Sequence, residues 1–239
     1  MGRYLRGMHD ASTPEKAAEA LASYTGQSIL VSGGAMRDGR IPYADKRDVL
    51  QVFHRDGRKL HCHTGFMNQE DADVLRRHGA SSLMMDVVGS EETMREVYRL
   101  EHRRMEEALE AAASAGIPLY PHILIGVHHG RILGEYSAVD TLSSYDISGL
   151  VFLVLIPPPW YTAGPPDVDS AVRVMRYALE KLDVPASLGC MRPGGTYRDR
   201  LDAEAIRLGI TRVVHPSPRA VAETGAEVSS VRGCCIEYR

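Results

Sequence analysis

The run Leu150-Val151-Phe152-Leu153-Val154-Leu155-Ile156, halted by Pro157-Pro158-Pro159, decides how the rest of this chain is read. It is far too short to cross a bilayer, and it lacks the polar/apolar alternation of a strand with one wet face. It therefore reads as a strand buried on both faces, as in a parallel sheet covered by helices. Outward from it the same unit repeats. Strands are predicted at 28–32, 59–63, 82–86 and 119–125 before it and at 186–189 and 212–214 after it. Helices are predicted at 14–24, 45–54, 69–78, 91–115, 134–144, 169–181, 202–208 and 219–223. The first opens on Ser12 or Thr13 with Pro14, and the longest closes at Gly116 and Pro118. Strands alternating with helices across short loops imply right-handed crossovers and parallel pairing. Units of about thirty residues, with no Gly-x-Gly-x-x-Gly after the first strand, favour an α/β fold of the (β/α) TIM-barrel type over a dinucleotide-binding sheet. The count is seven parallel strands where a closed barrel has eight. After a short polar leader the first element is a helix with no strand before it, so an incomplete barrel is expected. No linker interrupts residues 1–239, which read as one domain with 225–239 as a C-terminal extension.

The 239 residues carry 28 basic and 31 acidic side chains, a net charge of −3, which gives no electrostatic basis for binding nucleic acid or an acidic membrane. Small neutral or anionic substrates remain open. Arginines outnumber lysines but are scattered rather than striped. With no charged leader followed by an apolar core and no long apolar run, a soluble cytoplasmic protein is expected. Four cysteines in such a chain argue against a disulfide framework and leave buried thiols, metal ligands or reactive thiols.

A barrel's active site lies at the C-terminal ends of its strands, so the polar residues there are the candidates. Gly33-Gly34 can admit a ligand close to the backbone or simply make a tight turn. In Leu60-His61-Cys62-His63-Thr64-Gly65, alternation puts His61 and His63 on one face and Cys62 on the other. A strand-borne His-x-His can bind zinc with further histidines, and His122, His128 and His129 are available; hydrogen-bonded interior histidines are the alternative. Asp86 can accept from a ribose or an ammonium group, or cap a helix. Gly126, Gly130 and Gly134 make a glycine-rich loop ahead of Glu135. Gly189-Cys190-Met191-Arg192-Pro193 sets a thiol beside an arginine, which favours a thiolate or cluster ligand unless the cysteine is structural. Cys234-Cys235 lies in a terminal segment where paired thiols either bind something or stand idle.

Six stretches carry a resemblance: Ile29-Leu30-Val31-Ser32-Gly33-Gly34, Leu60 to Gly65, Asp86-Val87-Val88-Gly89-Ser90, Pro121-His122-Ile123-Leu124-Ile125-Gly126, Gly189 to Pro193, and Cys234-Cys235. In that order and spacing the chain resembles the biotin-synthase-like branch of the radical S-adenosylmethionine superfamily, including two-component archaeal-type lipoyl synthases. The resemblance implies S-adenosylmethionine and a [4Fe–4S] cluster, the latter held by a Cys-x-x-x-Cys-x-x-Cys loop after a first strand. Here Gly2-Arg3-Tyr4-Leu5 stands where the continuation of that loop falls, and the three cysteines and the strand before them are absent. It implies cofactor contacts at Gly33, Gly34, Asp86 and Gly126, with Ala35 in place of an acidic residue that often follows the glycines. Cys62 matches a ligand of a second, sulfur-donating cluster in biotin synthase, and Cys190, Cys234 and Cys235 are further candidates for an auxiliary iron–sulfur cluster. The implied reaction is sulfur insertion into an unactivated C–H bond of a small or carrier-bound acyl substrate, with an electron-donor protein and a second subunit of the same superfamily as partners. Without the loop cysteines the chain is expected to be inactive alone. The competing reading is a zinc-dependent barrel hydrolase using His61, His63 and His128 or His129, with Asp86 as base or ligand.

Overall fold

Thr13 caps the first helix by accepting from the Lys16 amide, with Pro14 at its first position, as the sequence predicts. From there the computed structural model, which describes residues 8–159, 162–229 and 233–237, alternates helix and strand; Gly2-Arg3-Tyr4-Leu5 lies outside the described residues. The helices are α1 (Pro14–Ser23), α2 (Arg47–Asp56), α3 (Gln69–Arg77), α4 (Glu91–Thr93), α5 (His102–Ser114), α6 (Glu135–Leu142), α7 (Val168–Lys181), α8 (Gly195–Arg207) and α9 (Pro218–Thr224). The strands are β1 (Ser28–Val31), β2 (Lys59–His63), β3 (Ala80–Asp86), β4 (Leu119–Ile125), β5 (Leu150–Val154), β6 (Ala186–Leu188) and β7 (Arg212–Val213). All seven strands pair in parallel, in chain order, in one sheet curled into a half-barrel. An incomplete TIM-type fold is thus what the structure has, with β1 and β7 as its two edges among the described residues.

Each strand divides its side chains between two layers. Leu60, Cys62, Leu83, Met85, Leu119, Ile123, Phe152, Val154 and Leu188 face outward, into a core shared with Leu50, Leu75, Leu109, Leu142, Met175 and Leu201 of the helices. The opposite residues face the concave side, where a second, smaller apolar cluster forms from Met84, Val151 and Ile236 with Tyr120, Leu153, Cys234 and Cys235. The described part of the C-terminal segment therefore packs inside the half-barrel.

Two predicted boundaries fail for identifiable reasons. The single helix expected over 91–115 is broken into α4, a π-helical turn over Met94–Tyr98, a left-handed Arg99 (φ 62°) and a fresh start at His102. No glycine or proline marks this break. Its π-turn places the Tyr98 hydroxyl 3.3 Å from Asp86 Oδ2. The helix predicted at 202–208 begins at Gly195, because Gly194-Gly195 reads as a loop although Gly194 occupies the cap position.

Candidate functional site

His61 and His63 point to the concave face and Cys62 away from it, which resolves the alternation left open by the sequence. His61 is held at both ring nitrogens, by Ser82 Oγ at 2.7 Å and by Glu237 Oε1 at 3.0 Å. His63 stands edge-on to His122, ring centres 5.3 Å apart, with its Nδ1 3.3 Å from Ser32 Oγ. Burial, reinforced by the neighbouring His122 and only partly countered by Asp86, lowers the His63 pKa to about 4. Asp86, the last residue of β3, faces His122 Nδ1 at 3.6 Å. Burial works against its ionisation, yet the interactions with His122, with His63 and with the Tyr98 hydroxyl hold its carboxyl below the ordinary value. Asp86 therefore remains an anionic acceptor rather than a cap; Ser90 caps the following helix. His122 Nε2, on the same face, is buried and has no hydrogen-bond partner among the described residues, and neither has Ser187 Oγ of β6. A buried polar atom left unpaired costs about 1–3 kcal/mol, so these atoms, like the Tyr197 hydroxyl, are places where water or a ligand can pair.

At the rim, residues 32–36 following β1 are irregular, with 33–36 exposed and no turn at the glycines. A Cβ on Gly34 would meet nothing within 4 Å, so its backbone is open to a ligand. Gly126 differs. Its φ of +77° suits glycine, and a Cβ there would meet Pro166 Cδ at 2.5 Å, so the space beside it is filled by the proline loop. Its amide donates to Glu135 Oε1 at 2.7 Å while the Leu133 amide donates to Oε2 at 2.7 Å. The buried Glu135 thereby clamps the loop after β4, a role its spacing from Gly126 could have suggested.

The four cysteines separate into two groups. Cys62 is fully buried in the outer core beside Tyr43, and burial pushes its thiol up to about 12. It does not share a site with the others, which corrects its expected place in a cluster. Cys234 and Cys235 lie on the concave face with sulfurs 4.0 Å apart. Their hydrogen bond favours the Cys234 thiolate, lowering its pKa to about 6, and pushes Cys235 upward, assisted by burial and by the charge on Cys234. Arg192 does not activate Cys190: its guanidinium is buried and forks onto Asp202 at 2.6 and 3.0 Å. The tail is fixed by Glu237 on His61, by Arg212 Nη2 donating to the Cys234 carbonyl at 3.1 Å, and by Ile236 against Met84 and Val151. Glu237, Arg212, Tyr98 and the pairing of Asp86 with His122 were not apparent from the sequence, because each depends on strand order or tail docking.

The zinc hydrolase set does not assemble. His128 lies at the rim, apart from His61 and His63, and among the described residues the group able to share an ion is Glu92, Glu96 and His128. No helix among the described residues is long and apolar enough to cross a membrane.

No known family profile and no curated protein sequence matches the chain. Solved structures do. A domain of pyruvate-formate lyase-activating enzyme from Bacteroides vulgatus superposes with a TM-score of 0.55 at 15% identity, over 69% of this chain and 100% of that one. The FeFe-hydrogenase maturase HydG from Carboxydothermus hydrogenoformans gives 0.59 at 18% identity, over 84% of this chain and 50% of the maturase. Methylornithine synthase (PylB) gives 0.54 at 16%, over 88% and 75%. The chain thus spans all of that activating-enzyme domain and half of the maturase, and the half-barrel is a fold it shares with all three.

Proposed function

We propose that this chain is the barrel portion of a radical S-adenosylmethionine enzyme acting on an unactivated C–H bond, with sulfur insertion as its reaction. The observation that carries the proposal is on the concave face: an ionised Asp86 beside a buried His122 nitrogen that has no partner among the described residues, with the open backbone of Gly34 on the rim segment after β1. What supports it further is the agreement between the sequence resemblance and the folds of the activating enzyme, the maturase and the synthase.

The residues present fit S-adenosylmethionine in part. Asp86 offers an anionic acceptor to a ribose or ammonium group, His122 Nε2 a buried polar contact, and Gly34 an exposed backbone, whereas Gly126 is closed off by Pro166. They do not fit the primary cluster, since no Cys-x-x-x-Cys-x-x-Cys occurs in the sequence and Cys62 lies in the outer core. When bound and cleaved, the cofactor supplies hydrogen abstraction that protein side chains cannot perform. What this chain contributes is position: Asp86 orients the ligand through a fixed negative charge, and the apolar pair Met84 and Val151 with Ile236 excludes water below it. Cys190, Cys234 and Cys235 are assigned to an auxiliary iron–sulfur site, on the adjacent sulfurs and thiolate character of the vicinal pair, with Cys190 included on the sequence resemblance. A small or carrier-bound acyl substrate, an electron-donor protein and a second subunit of the same superfamily complete the proposal.

Calorimetric titration with S-adenosylmethionine tests it. The chain is expected to bind one equivalent, and Asp86→Asn to weaken binding about tenfold or more, the worth of a hydrogen bond to a charged group. No binding, or equal binding by the variant, would remove the basis of the reading.

A further inference from the structure

The segment after β3 and the loop after β4 meet at the rim around His128, whose side chain is 3% exposed. Its Nδ1 lies 3.2 Å from Thr93 Oγ1, and that hydroxyl has its own acceptor in the Leu133 carbonyl at 3.3 Å. A hydroxyl donates one proton, so with the Thr93 proton on Leu133 the hydrogen between threonine and histidine belongs to Nδ1. In a neutral imidazole of that tautomer, Nε2 carries the lone pair. That lone pair faces two carboxylates, Glu92 Oε1 at 3.5 Å and Glu96 Oε2 at 3.9 Å. These separations exceed a normal N–H···O hydrogen bond of about 2.7–3.2 Å. They suit donors around a shared ion: ligands about 2.0–2.2 Å from a tetrahedral centre stand about 3.4 Å apart. All three ligand atoms lie within 4.8 Å of one another. The other Glu96 oxygen is occupied by Arg95 at 3.3 Å, which leaves Oε2 turned toward the histidine.

We infer that Glu92, Glu96 and His128 bind one divalent first-row transition-metal ion that ties the segment after β3 to the loop after β4. One imidazole and two carboxylates, with no thiolate, suit manganese, iron(II), cobalt or zinc. The carboxylates are 44% and 45% exposed, so the ion has access from solvent and room for water in its remaining positions. Thr93 is a positioning residue, acting through the hydrogen bond that fixes the imidazole tautomer. The site is separate from the concave face and does not depend on how that face is used.

The test is a titration of the chelator-stripped full-length chain with Mn²⁺, read by loss of the free-ion EPR signal. Mn²⁺ is chosen because oxygen and nitrogen donors hold it, while the thiols of Cys190, Cys234 and Cys235 favour softer ions. One ion per chain is expected. Replacing an outer partner of a ligand costs about 10–100-fold in affinity, so Thr93→Val is expected to weaken binding within that range, and Glu92→Gln and Glu96→Gln by at least about tenfold. Both glutamates are half-exposed, and the unfolding temperature of the metal-free chain is expected to be unchanged in their variants. An absence of Mn²⁺ uptake up to about millimolar concentration, or equal uptake by the Glu92→Gln/Glu96→Gln double variant, overturns the inference. So does NMR showing His128 as a doubly protonated imidazolium in metal-free protein that takes up no Mn²⁺, which would make the group an ion pair.

Discussion

Acidification tests the concave face through one residue. In the folded chain the His63 imidazole titrates near 4, against about 6.5 when unfolded. Between those values the unfolded chain binds a proton that the folded chain excludes, so the histidine withdraws stability as pH falls and contributes nothing to the pH dependence above about 7. The shift of about 2.5 units bounds the loss at about 3 kcal/mol, of which about 2 kcal/mol is reached by pH 4.5. Asp86, held below the ordinary carboxylate value, titrates mostly beneath that window and does not mimic the effect. Denaturant unfolding of the wild type and of His63→Gln, each at about pH 7 and about pH 4.5, isolates it, since carboxylates elsewhere titrate in both proteins. The variant is expected to lose about 2 kcal/mol less than the wild type over that interval. Parallel losses would show that His63 is protonated in the folded state, and the described burial beside His122 would not govern its charge.

Two further outcomes follow from buried groups. Arg192→Met leaves Asp202 charged with its main partner gone, at an expected cost of about 3–5 kcal/mol in denaturant unfolding, whereas a loss under about 1 kcal/mol would mean the pair is not the tie between β6 and α8 that its geometry indicates. Native alkylation followed by mass spectrometry is expected to modify exposed Cys190 and the acidic Cys234 at neutral pH and to reach Cys62 only after denaturation. Anaerobic reconstitution with iron and sulfide is expected to protect the first two; protection of neither counts against the auxiliary site.

Strands such as β1, β4 and β5 were legible because each is a short, mostly apolar run ended by glycine, proline or a polar residue, as Leu150 to Ile156 is ended by three prolines. Their chain-order pairing followed from the helices between them. The break between Tyr98 and His102 was not legible, since its cause is tertiary: an aspartate on another element lies within reach of the tyrosine hydroxyl, and the intervening sequence favours helix. At the site, alternation told His61 and His63 from Cys62 but not which set faces inward. That is decided by the helices, whose apolar faces take Cys62 into the outer core. The rim group of Glu92, Glu96 and His128 joins two loops whose proximity depends on the adjacency of β3 and β4, a relation that spacing along the chain does not encode.

The docked tail has a kinetic consequence. Glu237 meets His61 across 176 positions of sequence, and Ile236 completes a cluster whose other buried members, Met84 and Val151, belong to strands in the middle of the chain. Contacts so distant in sequence form late, because the chain must close its longest loop to make them. During synthesis the sheet can curl and its helices can pack while Met84 and Val151 still face water, and this cluster closes only after Ile236 has left the ribosome. The inward face of this half-barrel therefore matures later than the sheet and helices that form it, and it is exposed to wrong partners until it does.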